Sequence, residues 1–161
     1  MRLIIIPVHQ YRYLIAARLI INTYKGGFMK IIGYMDGTNS EVLTDLFLGG
    51  YETLPLSNGW DNHGKYIAHI SKNDNIDLVV GYLHKFIPYA KQFDLGDMLS
   101  SIKVYKIPVV FIVPRSKQDK AKKYIPKGLK YVFADPNEII KVITGILKPG
   151  AKAKKKTARK K

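Results

Sequence analysis

Apolar runs of strand length alternating with stretches of helical periodicity predict an α/β domain, a three-layer (αβα) parallel sheet of about five strands, flavodoxin-like or Rossmann-like. Three observations carry this expectation. The apolar runs are continuous, as in strands buried on both faces. Glycine, proline and short polar residues punctuate them at helix-length intervals. At 161 residues and 47% hydrophobic content, the chain has material for one ordinary core and too little for two.

In chain order, residues 2–8 read as the first strand. A basic residue followed by an apolar run superficially suggests a signal peptide, but the run is short and His9, Gln10, Tyr11 and Arg12 follow it in place of a small-residue cleavage site. Residues 11–23 place Leu14, Ile15, Leu19 and Ile21 among Arg12, Ala16, Ala17 and Arg18, an amphipathic helix that Gly26-Gly27 stops. Residues 30–35 form the second strand. A turn over 36–40 follows, with Asn39 or Ser40 capping a helix over 41–48 that Gly49-Gly50 closes.

Residues 51–75, with Pro55, Ser57-Asn58-Gly59 and Trp60-Asp61-Asn62-His63-Gly64, are the least regular, with a short helix or strand at 66–71. Residues 76–82 form the third strand and 83–93 a loop. A helix over 95–105 leads through Pro108 into a strand at 109–113. Ser116 is placed to cap a helix over 117–124, ended by Pro126 and Gly128. Residues 129–134 form the last strand. Asp135-Pro136 then caps a helix over 137–147, with proline in its first turn. The expected domain is 1–148. Residues 149–161 form a lysine-rich tail with no apolar residue larger than alanine, unable to join a core and expected to be disordered alone.

Composition excludes several chemistries. The absence of cysteine removes disulfides, thiolate zinc sites, iron–sulfur clusters and cysteine nucleophiles. Apolar runs are far shorter than a membrane span, so no integral membrane segment is expected. No Walker lysine follows the 36–40 turn and no glycine-rich fingerprint follows the first strand, so neither a triphosphate nor a dinucleotide site of those kinds is expected, and no cofactor. His9, His63, His69 and His84 show no metal-ligand spacing, so no metal site is expected.

Architecture names the ligand-facing loops, because open parallel sheets bind outside the carboxyl ends of their strands. These are 9–12, 36–40, 84–94, 115–117 and 135–137. Asp36, Gly37, Thr38 and Ser40, with Asp94, make a candidate ligand loop: glycine permits close approach, hydroxyls donate, and a helix N-terminus favours anions. A plain turn with a helix cap uses the same residue types. His9 and His84 stand just after strands, where a catalytic base would sit. Asp36, Asp94 and Asp135 share one expected edge, and Asp135 also fits an N-cap.

The segments Ile76-Asp77-Leu78-Val79-Val80, Asp94-Leu95-Gly96 and Ile107-Pro108-Val109, together about residues 76–109, resemble the core of nucleoside 2-deoxyribosyltransferase-like domains. Six residues after the matching aspartate, where that family carries its glutamate nucleophile, this chain has Ser100, with Ser101 beside it. Asp94 and Asp97 are the nearby carboxylates. The resemblance therefore implies nucleotide binding without ordinary glycosyl transfer.

Charge is the outlying property. Lysine and arginine number 27 against 12 acids, a net +15. The tail carries Lys152, Lys154, Lys155, Lys156, Arg159, Lys160 and Lys161; with Lys148 it accounts for eight charges and leaves +7 on residues 1–147. Arg115, Lys117, Lys120, Lys122, Lys123, Lys127 and Lys130 form a second basic stretch containing one acid, Asp119, with Lys117, Lys120 and Lys123 expected on one helical face. Such fields attract nucleic acid or an anionic membrane surface, and a lysine tail also serves solubility alone.

The leading expectation is a non-enzymatic nucleic-acid-binding protein, for DNA or RNA, of low sequence specificity. It would grip phosphates with Arg115, Lys117, Lys120, Lys123 and the tail, in the cytoplasm on a nucleoid or ribonucleoprotein. Tyr11, Tyr13, Tyr24, Tyr34, Tyr82, Tyr89 and Trp60 are candidates for base stacking, or for core and rim packing. The alternatives are a nucleotide-binding enzyme or sensor using Asp36, Thr38 and Asp94, and an assembly protein of a nucleic-acid-containing particle, with homo-oligomerisation open.

Overall fold

The computed structural model describes residues 29–59, 63–88 and 92–147. The expected strand at 2–8, the helix at 11–23 and the lysine tail lie outside the described residues. Within them, six strands form one sheet: β1 (Ile31–Met35), β2 (Glu52–Ser57), β3 (Lys65–Tyr66), β4 (Ile76–Tyr82), β5 (Val109–Ile112) and β6 (Tyr131–Ala134). Every pairing is parallel and the order is β3-β2-β1-β4-β5-β6. The order reverses between β1 and β4, which makes this a doubly wound, Rossmann-like α/β fold.

Helices cover both faces, as apolar strands require. α1 (Ser40–Leu48) and α5 (Ile139–Leu147) lie on one face, where Leu46, Ile139, Ile143 and Leu147 pack with Ile32, Leu78, Val80, Val110 and Ile112. α2 (Leu95–Met98), α3 (Ser100–Val104) and α4 (Gln118–Ala121) lie on the other, where Met98, Ile102 and Ala121 pack with Met35, Val79, Val109 and Phe111. Successive strand residues thus feed opposite cores, which is why the runs in β4 and β5 are continuous. On the α2/α3 face, Phe111 contacts Phe86, Tyr131 and Phe133 with ring centroids 5.0–6.3 Å apart.

Two sheet glycines are space requirements. A methyl on Gly81 would stand 2.6 Å from Met35 Cβ, and one on Gly33 would stand 2.6 Å from Leu56 Cδ1. β1 and β4 also change register between Ile31 and Ile32, where Asp77 is the extra residue. Its carboxylate accepts a 2.9 Å hydrogen bond from the Ile31 amide and faces Lys30 at 3.9 Å, so Asp77 joins the two central strands at their amino ends.

Several sequence expectations need correction. The region 51–75 holds β2 and β3, so the described residues carry six strands where four of the roughly five expected fall. Pro55 disguised β2, since proline donates nothing to a ladder; it is accommodated beside β3, which pairs only with Leu56 and Ser57. Both alternatives for 66–71 occur in part, as β3 runs into a 3₁₀ turn at Ile67–His69. The expected loop at 83–93 begins with a 3₁₀ turn, Leu83–Phe86.

The expected helix at 95–105 is two short helices that meet at Leu99. The expected helix at 117–124 is the four-residue α4 between 3₁₀ turns Arg115–Lys117 and Lys122–Tyr124, and no side chain caps it. Ser116 is therefore not its cap: the turn starts one residue earlier, after Pro114, where Lys117 N–H already donates to the Pro114 carbonyl. The last helix begins at Ile139, two residues later than expected, because Pro136–Glu138 form a turn closed by the Glu138 amide on the Asp135 carbonyl.

One end of α3 is unusual. Lys106 N–H donates to the Lys103 carbonyl and Ile107 N–H to the Ile102 carbonyl, the paired bonds of a Schellman C-cap. The residue between them normally is glycine because its φ is positive, yet here it is Lys106 at φ +56°. A side chain there costs roughly 1 kcal/mol relative to glycine.

Replacing Gly81 by alanine is expected to lower stability by about 1–3 kcal/mol through overpacking against Met35. The urea midpoint should fall at unchanged m-value; an unshifted midpoint would show that the central strands have slack there.

Candidate functional site

The strand order puts the topological switch between β1 and β4, so the crevice outside their carboxyl ends is formed by the 36–40 turn and the segment after Tyr82. Asp36 and Lys85 meet across it, Lys85 Nζ donating to Asp36 Oδ2 at 2.6 Å. Gly37 has φ +77°, and a methyl there would stand 3.1 Å from Lys85 Cε, so glycine allows both the turn and the lysine's approach. The other groups of the turn are engaged internally. Thr38 Oγ1 donates to the Met35 carbonyl at 2.7 Å, and Asn39 Oδ1 accepts from the Glu41 amide at 2.8 Å as the N-cap of α1. Ser40 is exposed in the first turn of α1. Asn58, after β2, donates to the Ile87 carbonyl at 2.8 Å and ties a third loop to this edge. Neither Lys85 nor Asn58 stood out in the sequence; only the strand order, which periodicity does not give, brings them to the crevice.

Asp94 is engaged locally. It caps α2 in a reciprocal box with Asp97: Asp94 Oδ1 accepts from the Asp97 amide at 2.8 Å, and Asp97 Oδ2 from the Asp94 amide at 3.0 Å. Beside this box an open depression of about 330 Å³ is lined by Tyr66, His69, Phe93, Asp97, Met98 and Ser100. His69 packs edge-on to Tyr66 with centroids 4.9 Å apart. Ser100 therefore lines the depression, while Ser101 Oγ donates to the Ala68 carbonyl at 2.7 Å and is structural. His84 lies in the 3₁₀ turn after β4, its ring 5.8 Å from that of Tyr82. His9 lies outside the described residues.

Asp135 has a third, separate role. One carboxylate oxygen accepts from the Arg115 amide at 3.1 Å and the other from the Asn137 amide at 3.2 Å, joining the loops after β5 and β6. These two backbone donors hold its carboxyl below the ordinary value. Arg115 also pairs with Glu138 at 2.5 Å, which raises its own pKa. The three aspartates expected to share one edge are thus each committed to a different local structure.

The basic residues separate into two groups. Lys122 pairs with Asp119 at 2.8 Å, a contact that lowers the Asp119 pKa and raises that of Lys122, so Arg115 and Lys122 are both neutralised locally. Lys117, Lys120, Lys123, Lys127 and Lys130 are exposed and have no carboxylate partner among the described residues; Lys123 lies 4.9 Å from the Tyr124 ring. The single helical face expected for Lys117, Lys120 and Lys123 is lost with the break of that helix into three short turns.

The acid-poor stretch also extends further than 115–130. Between Asp97 and Asp135 there are nine cations and one acid, and the added cations are Lys103 and Lys106, both exposed. Trp60, Tyr89 and the tyrosines of 11–24 lie outside the described residues. Tyr34 and Tyr82 pack against the core and are not free stacking platforms.

The chain matches no family model, no curated protein and no solved structure. Among the described residues no helix is long and apolar enough to cross a membrane.

Because the folded-state pKa of Asp135 lies below its unfolded value, its contribution to stability is present above about pH 4 and is lost as pH falls through the folded value. Asp135→Ala should therefore lower the melting temperature at pH 7, and the deficit should shrink as pH falls progressively below about 4. A deficit that does not shrink with falling pH would show that its charge state is not what joins the two loops.

Proposed function

We propose that this chain binds nucleic acid with low sequence specificity, the α/β domain supplying exposed lysines and residues 148–161 supplying a second set of phosphate contacts. The observation that carries the reading is the set of five exposed lysines at 117, 120, 123, 127 and 130 that have no carboxylate partner among the described residues. Surface lysines with carboxylate neighbours are already compensated; these present uncompensated charge, with eight further cations at 148–161. Polyanion binding at such a surface is driven largely by counterion release, so affinity falls steeply with salt. Among the described residues no long helix stands out from the fold to enter a groove: α4, in the middle of the basic stretch, has four residues. That favours backbone contacts over reading of bases.

A second reading is favoured by the strand order alone. The β1/β4 crevice is where doubly wound sheets hold ligands, and Lys85 offers a cation there. A phosphorylated small ligand would have to displace Asp36 from Lys85. Within this reading Ser100, at the position suggested by the deoxyribosyltransferase resemblance, lines the neighbouring depression. A panel of nucleotides in a thermal-shift assay separates the two readings: stabilisation that requires Lys85 supports the second.

For the leading reading, fluorescence anisotropy with labelled duplex DNA and single-stranded RNA over a salt series is the test. With six to eight phosphate contacts, the log–log slope on duplex should be roughly −5 to −7. Removing 148–161 should flatten the slope and weaken binding. No binding by the full chain at about 0.15 M salt would overturn the reading.

A further inference from the structure

Four lysines that the sequence disperses over 28 positions converge at one end of the sheet. Lys103 and Lys106 end α3 immediately before β5, and Lys127 and Lys130 precede β6, the strand beside it. The two connections are in contact. A methyl on Gly128 would stand 3.0 Å from Lys103 Cε and 3.5 Å from its Nζ, and the Lys130 carbonyl accepts from the Val109 amide at 2.9 Å. All four lysines are exposed, and none has a carboxylate partner among the described residues. Asp77, at the amino end of the next strand, is already engaged by the Ile31 amide and Lys30.

This is the amino edge of the sheet, opposite the edge where such folds hold small ligands. Three features suit it to a strand of nucleic acid. Tyr105, 43% exposed, and Val104, 71% exposed, lie between Lys103 and Lys106 in sequence, so an aromatic ring is interleaved with the cations. Lys106 occupies the left-handed position of the Schellman cap that glycine would fill without strain. The left-handed backbone is thus held by a residue that sets a charge at this edge. Finally, α5 follows β6 and returns along the sheet for nine residues, about 13 Å, which brings Leu147 back toward this same edge.

We propose that the amino edge, through Lys103, Tyr105, Lys106, Lys127 and Lys130, is a binding site for single-stranded nucleic acid, the lysines contacting phosphates and Tyr105 stacking on a base. The inference rests on the nucleic-acid reading above and adds the strandedness of the partner and the location of the site. Stacking on an unpaired base distinguishes this partner from duplex, whose bases are already stacked on one another.

The test uses the full chain with a labelled single strand and the duplex of the same sequence, over a salt series. The wild type should prefer the single strand. Tyr105→Ala should lower single-strand affinity roughly tenfold and leave duplex affinity nearly unchanged. Lys106→Gly should raise the melting temperature by about 2–4 °C while weakening binding and reducing the magnitude of the single-strand slope by about 0.7, because it relieves the backbone and removes one contact. Lys141→Ala, which removes an exposed lysine from α5, should do neither to the same degree. If the wild type binds both nucleic acids equally and Tyr105→Ala and Lys106→Gly bind as it does, the amino-edge site is overturned while nucleic-acid binding stands. If the wild type binds neither, both proposals fall together.

Discussion

A parallel sheet buried on both faces constrains everything else in this molecule. Parallel neighbours cannot be joined by tight hairpins, so each connection must cross a face, and helices from those connections seal the sheet. Here Ile32, Leu78, Val80, Val110 and Ile112 feed one core, while Met35, Val79, Val109 and Phe111 feed the other. With both faces closed by apolar packing, polar chemistry is left to the two edges where strands begin and end. The glycines at 33 and 81 serve the same constraint by admitting Leu56 and Met35 against the sheet.

The two edges are electrically different. At the carboxyl edge, charged groups are matched in pairs: Asp36 with Lys85, Arg115 with Glu138, and Asp94 and Asp135 with backbone amides. Those contacts fix the loops and leave little uncompensated charge beyond Lys117 and Lys120. At the amino edge of β5 and β6, Lys103, Lys106, Lys127 and Lys130 stand without carboxylate partners among the described residues, and the last helix leads back to that side. A polyanion gains most where its counter-charge is not already satisfied, which is why the amino edge is the better phosphate surface in a fold whose ligand sites usually lie opposite.

The sequence conveyed the layers of the fold better than the placement of its sites. Strands β1, β4 and β5 were legible because burial on both faces leaves uninterrupted apolar runs, and β6, an edge strand with Val132 exposed, because its Tyr-Val-Phe-Ala run is apolar as well. β2 was not, because Pro55 and alternating polar residues hide a strand next to the short edge β3. The helices at 95–105 and 117–124 were legible as apolar periodicity, but their breaks at Leu99 and around α4 come from local hydrogen bonding that spacing does not encode. Asn39 read correctly as a capping residue, whereas Asp135 does not cap the last helix, which starts at Ile139; its side chain instead accepts from the Arg115 and Asn137 amides in the preceding turn. The basic stretch at 115–130 was visible as composition. Its junction with Lys103 and Lys106 was not, because it depends on β5 and β6 lying side by side, and the positive φ of Lys106 has no sequence signature when the residue is lysine.

The amino edge of β5 and β6 is the proposed single-strand site on the folded body. The most direct measurement is amide chemical-shift mapping of the full chain on titration with a short single-stranded oligonucleotide. Shifts concentrated at residues 103–106 and 127–130, with the 36–40 turn and Lys85 unmoved, are the expected result. Shifts confined to 36–40 and 83–87 would contradict it and place the ligand in the crevice between β1 and β4.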